Sequence, residues 1–199
     1  MITIQEQCQK ELDNFKDYIT DIVQKMYKDL GEIQPIVFGL VIHQDHPTIV
    51  VIDGLGRLFN SDIGKDTASK IIEEVSKQFK CVAVAFAMEC HMKQYDGKPE
   101  DIMNEDGSLK VARPKDDPTS IDGLLLTVET FDRICPNYWS THEDHEGKYL
   151  RDYAGPDSGK WIDKATAQIE GKFTNLLKDN HSLLAQHLQS KVNKKENLN

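Results

Sequence analysis

The stretch Cys81–Lys93, CVAVAFAMECHMK, has two unlike sides when read as a strand. Successive strand side chains point to opposite faces. Val82, Val84, Phe86, Met88, Cys90 and Met92 share one side, bulky and apolar. Cys81, Ala83, Ala85 and Ala87 share the other, which then runs into Glu89, His91 and Lys93. Three methyl groups form a floor on which another element can lie close to the backbone. The first expectation is a helix packed on that floor; the second is a shallow groove ending in a polar site at Glu89 and His91.

Upstream of this strand, Ala68, Ile71, Ile72, Val75 and Phe79 repeat at helical spacing, so a helix is expected from an Asp66 cap to about Phe79. Before it, two β-branched runs, Ile36–Ile42 and Thr48–Asp53, flank a short polar stretch and read as a hairpin apolar on both faces. The chain opens on a periodic segment, Ile4–Leu30, with apolar residues at Cys8, Leu12, Phe15, Ile19, Ile22 and Met26. That spacing predicts a long amphipathic helix stopped at Gly31. Its stripe packs either on its own sheet or on a second copy of the chain. The dimer alternative makes Phe15, Ile19 and Ile22 interface residues.

Downstream, Gln94–Ser120 is polar and rich in Asp, Pro and Gly, and reads as loop. Ile121–Asp132 reads as a strand antiparallel to Cys81–His91. Arg133–Gly159 reads as irregular, and a closing helix is expected over about Lys160–Leu188, capped by Ser158 and buried through Ile162, Ala165, Ile169, Phe173, Leu176 and Leu177. Residues 191–199 read as a frayed tail. The expected fold is one α+β domain over 1–190, in the order α-β-β-α-β-β-α, with a mixed, mainly antiparallel four-stranded sheet.

Composition narrows the function classes. The chain has 199 residues, 39% hydrophobic, and a formal charge of −9. Residues 94–160 hold fifteen acids against eight basic residues, so most of the imbalance sits there. A generic nucleic-acid binder needs a basic surface, so nucleic acid is not an expected partner. No apolar run approaches a membrane span and no signal peptide is visible, so a cytoplasmic protein is expected. Cys8, Cys81, Cys90 and Cys135 form no CxxC pair; the first three read as core residues and Cys135 as a loop thiol.

Three sets of residues are of the types that carry chemistry. His43, His46, His142 and His145, with Glu89 and His91, supply imidazole and carboxylate groups for a divalent metal, but HEDH lacks the HExxH spacing. Asp53, Glu89 and Glu129 are strand-borne acids, the type used in metal-assisted hydrolysis, but no ExK accompanies them. GPDSGK and DGLGR miss the phosphate-loop spacings. Tyr138, Trp139, Tyr149 and Tyr153 interleave with charges; Trp139 and one tyrosine are expected to anchor this stretch onto the fold, and the alternative is a partner surface with Trp139 and Tyr149 as its contact residues. The expectation is a protein that acts by binding or assembly as a homo-oligomer without a cofactor, with a metal-dependent hydrolase as the alternative.

Overall fold

The structure is a computed structural model that describes residues 4–43, 46–93, 101, 104, 110–111, 116–153, 157–165, 176–177 and 186. Helix α1 spans Ile4–Leu30, strand β1 Ile36–His43 and β2 His46–Ile52. A 3₁₀ turn at Gly56–Asn60 leads into helix α2, Asp62–Gln78. Strands β3 (Ala83–Met92), β4 (Ile121–Glu129), β5 (Arg133–Asp144), β6 (Gly147–Asp152) and β7 (Ile162–Asp163) complete the described elements.

All seven strands join one antiparallel sheet, in the order β2-β1-β3-β4-β5-β6, with β7 on the other half of the β5 edge. The sheet curls into a half-barrel. This corrects the four-stranded mixed sheet and the order α-β-β-α-β-β-α. The departure comes after β4. The stretch read as irregular forms the β5–β6 hairpin, Arg133–Asp152. The start of the expected closing helix is instead β7, which pairs Arg133 with Asp163 and Ile134 with Ile162. Two helices are present among the described residues. Ile169 and Phe173 lie outside those residues, as does most of Lys160–Leu188, and the 191–199 tail does too.

The alanine floor has its occupant. Leu12, Phe15, Ile19, Val23 and Tyr27 of α1 are buried with Ala83, Ala85 and Ala87, with Leu124, Leu126 and Val128 of β4, and with Cys135 and Trp139 of β5. Phe38 and Leu40 of β1 join the same layer, and Leu150 of β6 packs against it. One helix touching strands from β1 to β6 requires the sheet to wrap around it, which the curl provides. Methyl side chains beneath α1 let the helix settle into that curl without displacing the bulkier neighbours on either side. Each fully buried Ile, Leu or Phe contributes roughly 1.5–3 kcal/mol. The α1 N-terminal half is also tied by polar contacts: Trp161 Nε1 donates to Asp13 Oδ1 at 2.8 Å, and the Arg133 guanidinium lies 5.4 Å from the Trp161 ring centre.

The outer face of the sheet packs Val37, Cys81, Val84 and Phe86 against Ile72 of α2, Leu55, Leu176 and Leu177. Helix α2 begins earlier than expected, and Ser61 rather than Asp66 caps it: its hydroxyl accepts the Gly64 N–H at 3.0 Å. Leu176 and Leu177 are buried in irregular backbone. Cys135 is a buried strand residue, not a loop thiol. All four cysteines are free. Burial pushes the Cys81 and Cys135 thiols up to about 11. Among the described residues no helix is long and apolar enough to cross a membrane.

Candidate functional site

Helix α1 ends before the sheet does. Gly31, at φ +72°, donates its N–H to the Tyr27 carbonyl at 2.8 Å and turns the chain away from the helix axis. A left-handed conformation of this kind favours glycine. Ile33 is buried just beyond, and its N–H donates to Glu89 Oε1 at 2.9 Å. Strand β3 continues to Met92, so Glu89 and His91, its last inward positions, lie beyond the helix end. Opposite them, β4 starts with Ile121 and Asp122, and His91 pairs in register with Asp122.

A half-open cavity of about 450 Å³ fills this end of the half-barrel. Tyr27 comes from α1, Glu89 and His91 from β3, Asp122 from β4, and Thr141 and Glu143 from β5. Lys148 of β6 closes the side. His91 Nδ1 lies 2.8 Å from Asp122 Oδ1, and both side chains are exposed, 52% and 75%. The Lys148 stem passes Gly31, where a Cβ would sit 3.6 Å from Lys148 Cδ. Its ammonium therefore lies near the carbonyl end of α1, where a cation is favoured. Burial pushes the Tyr27 phenol above its ordinary range. A hydrogen bond with Thr141 opposes that shift, Glu89 adds to it, Lys148 opposes it and Asp122 adds to it. Burial, then the charges of Glu89 and Asp122, push Cys90 up to about 11. Acids thus outnumber the one lysine in the cavity, which presents Glu89, Asp122 and Glu143 against Lys148, with the His91 ring held to Asp122.

The other sequence candidates lie elsewhere. The His142 backbone borders the cavity, but strand alternation turns its ring to the outer face, away from Thr141 and Glu143. There its Nε2 lies 2.9 Å from Ser140 Oγ, and the ring stacks on Tyr149 at 5.6 Å. Arg151 covers the same tyrosine, at 5.3 Å. His145 stands exposed in the β5–β6 turn. His43 and His46 pair with each other in register on β1 and β2, at the far edge of the sheet. Among the described residues no three His, Cys, Asp or Glu side chains converge as metal ligands. Glu129 is 1% exposed in the outer layer, where its Oε1 accepts the Leu177 N–H at 3.1 Å and meets Lys164 Nζ at 2.7 Å. That arrangement ties the chain near Leu177 to the sheet and leaves Glu129 away from any described cavity.

The residues expected at an assembly interface are mostly internal. Phe15 and Trp139 are 4% exposed and Ile19 is fully buried; Ile22 packs at the margin of the same layer. The apolar stripe of α1 is therefore spent on the chain's own sheet. Tyr149 alone of the five reaches the hairpin surface. Tyr27, Asp122, Thr141 and Lys148 were not singled out in the sequence. Tyr27 carried the one usable signal: it sits on the inward stripe, one turn before the Gly31 stop. The chain matches no protein-family model, no curated protein and no solved structure.

Proposed function

We infer that the protein acts by binding, and that the cavity at the end of α1 is its ligand site. One observation carries the reading: the polar end of the alanine-floored strand, Glu89 and His91, opens into a cavity shared with Tyr27, Asp122, Thr141 and Lys148. Convergent polar groups in a concavity are the usual mark of a small-ligand site. The excess of carboxylates favours a ligand group that is cationic and rich in donors, such as an amine or guanidinium. The metal-dependent hydrolase draws no support from the placement of His46, His142 and His145, which face three different parts of the surface. Four unpaired cysteines fit a reducing compartment such as the cytoplasm.

The test is a thermal-shift screen of small amines, guanidines and polyols against the native chain and Thr141→Trp. Tryptophan at 141 fills the cavity from its floor. A ligand at 100 times its Kd adds about 2.7 kcal/mol. Hits that raise Tm in the native chain and lose the shift in Thr141→Trp support the reading. Hits that persist in Thr141→Trp, or no hit in either protein, contradict it.

A further inference from the structure

A second cavity of about 660 Å³ adjoins the first, and the two share Tyr27 and Lys148. Gln24, Tyr27 and Lys28 form one wall, a single helical face at spacings of three and four. The other wall is Lys148, Tyr149, Leu150 and Arg151, four consecutive residues of β6. Alternate strand residues face opposite ways, so a cavity bordered by four in a row runs along the strand's edge rather than over one face. That edge is the terminal one of the sheet, and no described strand pairs with it. The register closes the hairpin with the Asp144–Gly147 pair across a two-residue turn. Antiparallel pairing alternates from there, which directs the N–H and C=O of Lys148 and Leu150 outward, into the groove.

We propose that an extended peptide adds as a strand to the open edge of β6, beneath the last turns of α1, with a Lys or Arg side chain of that peptide entering the Glu89–Asp122–Glu143 cavity. This rests on the reading of that cavity as the ligand site and supplies the rest of the ligand. Four edge residues span roughly 13 Å, the length of about four peptide residues in a strand. The groove's own charges, Lys28, Lys148 and Arg151 against Asp144 and Glu146, leave a small positive excess that does not attract a cation. Selection for a basic residue therefore comes from the first cavity. Main-chain pairing supplies affinity and the side-chain cavity supplies specificity, the division of labour expected for strand addition.

The experiment uses the full chain, fluorescently labelled, on an array of random heptapeptides, followed by anisotropy titration of the best sequence. The retained sequences are expected to carry a Lys or Arg, and its replacement by Glu is expected to weaken binding at least tenfold. N-methylation of alternate amides is expected to weaken binding at least tenfold in one phase and little in the other, since only one phase faces β6. Leu150→Pro removes an outward N–H without touching the β5 ladder, and is expected to abolish binding. The methylated peptides keep the test sound if that variant misfolds. Equal binding of both methylation phases, or no basic preference, overturns the proposal. If neither phase matters but n-butylamine still raises Tm in a Thr141-dependent way, strand addition falls and the cavity reading stands; if neither peptide nor amine binds, both fall. Self-association abolished by Leu150→Pro, without peptide binding, makes the occupant a second copy and also overturns it.

Discussion

Ile19→Ala separates a stripe buried in the chain's own core from one buried between copies. Ile19 is fully buried, midway along α1 and over the alanine floor. The substitution removes three carbons, worth about 2.4 kcal/mol at ~0.8 per buried methylene. The cavity it leaves adds to that, and an overall loss of about 3 kcal/mol is expected, within the ~2–5 range for Ile→Ala. Alanine is the better helix former, so none of the loss comes from propensity. For a chain of this size each kcal/mol moves Tm by about 2–4 °C, giving a drop of roughly 6–12 °C. Tyr18, its neighbour, is 55% exposed, and Tyr18→Ala is expected to cost no more than about 0.5 kcal/mol. The assay is differential scanning calorimetry of both variants at two protein concentrations tenfold apart. An intramolecular core makes the loss independent of concentration, whereas an interface makes it concentration-dependent. Equal losses at Tyr18 and Ile19, or a loss that changes with concentration, refutes the placement of α1.

Lys164→Met leaves the buried Glu129 carboxylate with only the Leu177 N–H and is expected to cost about 3–5 kcal/mol by chemical denaturation, with Glu129→Leu/Lys164→Leu recovering most of it. A single variant as stable as the native chain counts against the pair. Gly123→Ala would place a Cβ 2.1 Å from Met92 Cε and 2.7 Å from the Trp139 carbonyl. The methionine can yield but the backbone cannot, so a loss of about 1–3 kcal/mol is expected in urea, not rescued by Met92→Ala. At pH 8 the Cys81 and Cys135 thiols, raised to about 11 by burial, are expected to react with a disulfide reagent only on unfolding; rapid labelling of either in the folded chain contradicts their burial.

The alanine run made the central strand and its covering helix readable, because from Ala83 onward small and large side chains separate by parity; just ahead of the strand the parity fails, with Val82 buried beside the alanines and Cys81 on the outer face. Ile121–Glu129 was readable for the same reason: Leu124, Leu126 and Val128 are all inward and buried. The β5–β6 hairpin hid because it lies at the sheet edge. Beyond Trp139 it buries little but Ser140, so Thr141–Lys148 looks like loop chemistry. The start of the expected closing helix is β7 instead, because Ile162 matches a helical stripe as well as a two-residue strand, and only the long-range partner Ile134 decides. Glu89 and His91 were legible as a polar end to an apolar face. Asp122 and Thr141 were not, since their place beside His91 depends on register, which local sequence does not encode. One-residue parity likewise separates Thr141, which faces the cavity, from His142, whose ring faces away.

Amide chemical-shift mapping by NMR, with n-butylamine titrated into the full chain, tests the cavity most directly. The expected perturbations fall on Tyr27–Ile33, Glu89–Met92, Ile121–Leu124 and Thr141–Leu150, the backbone around the end of α1. Perturbations confined to α2 or to β1 and β2, or none at millimolar amine, would contradict a ligand site there.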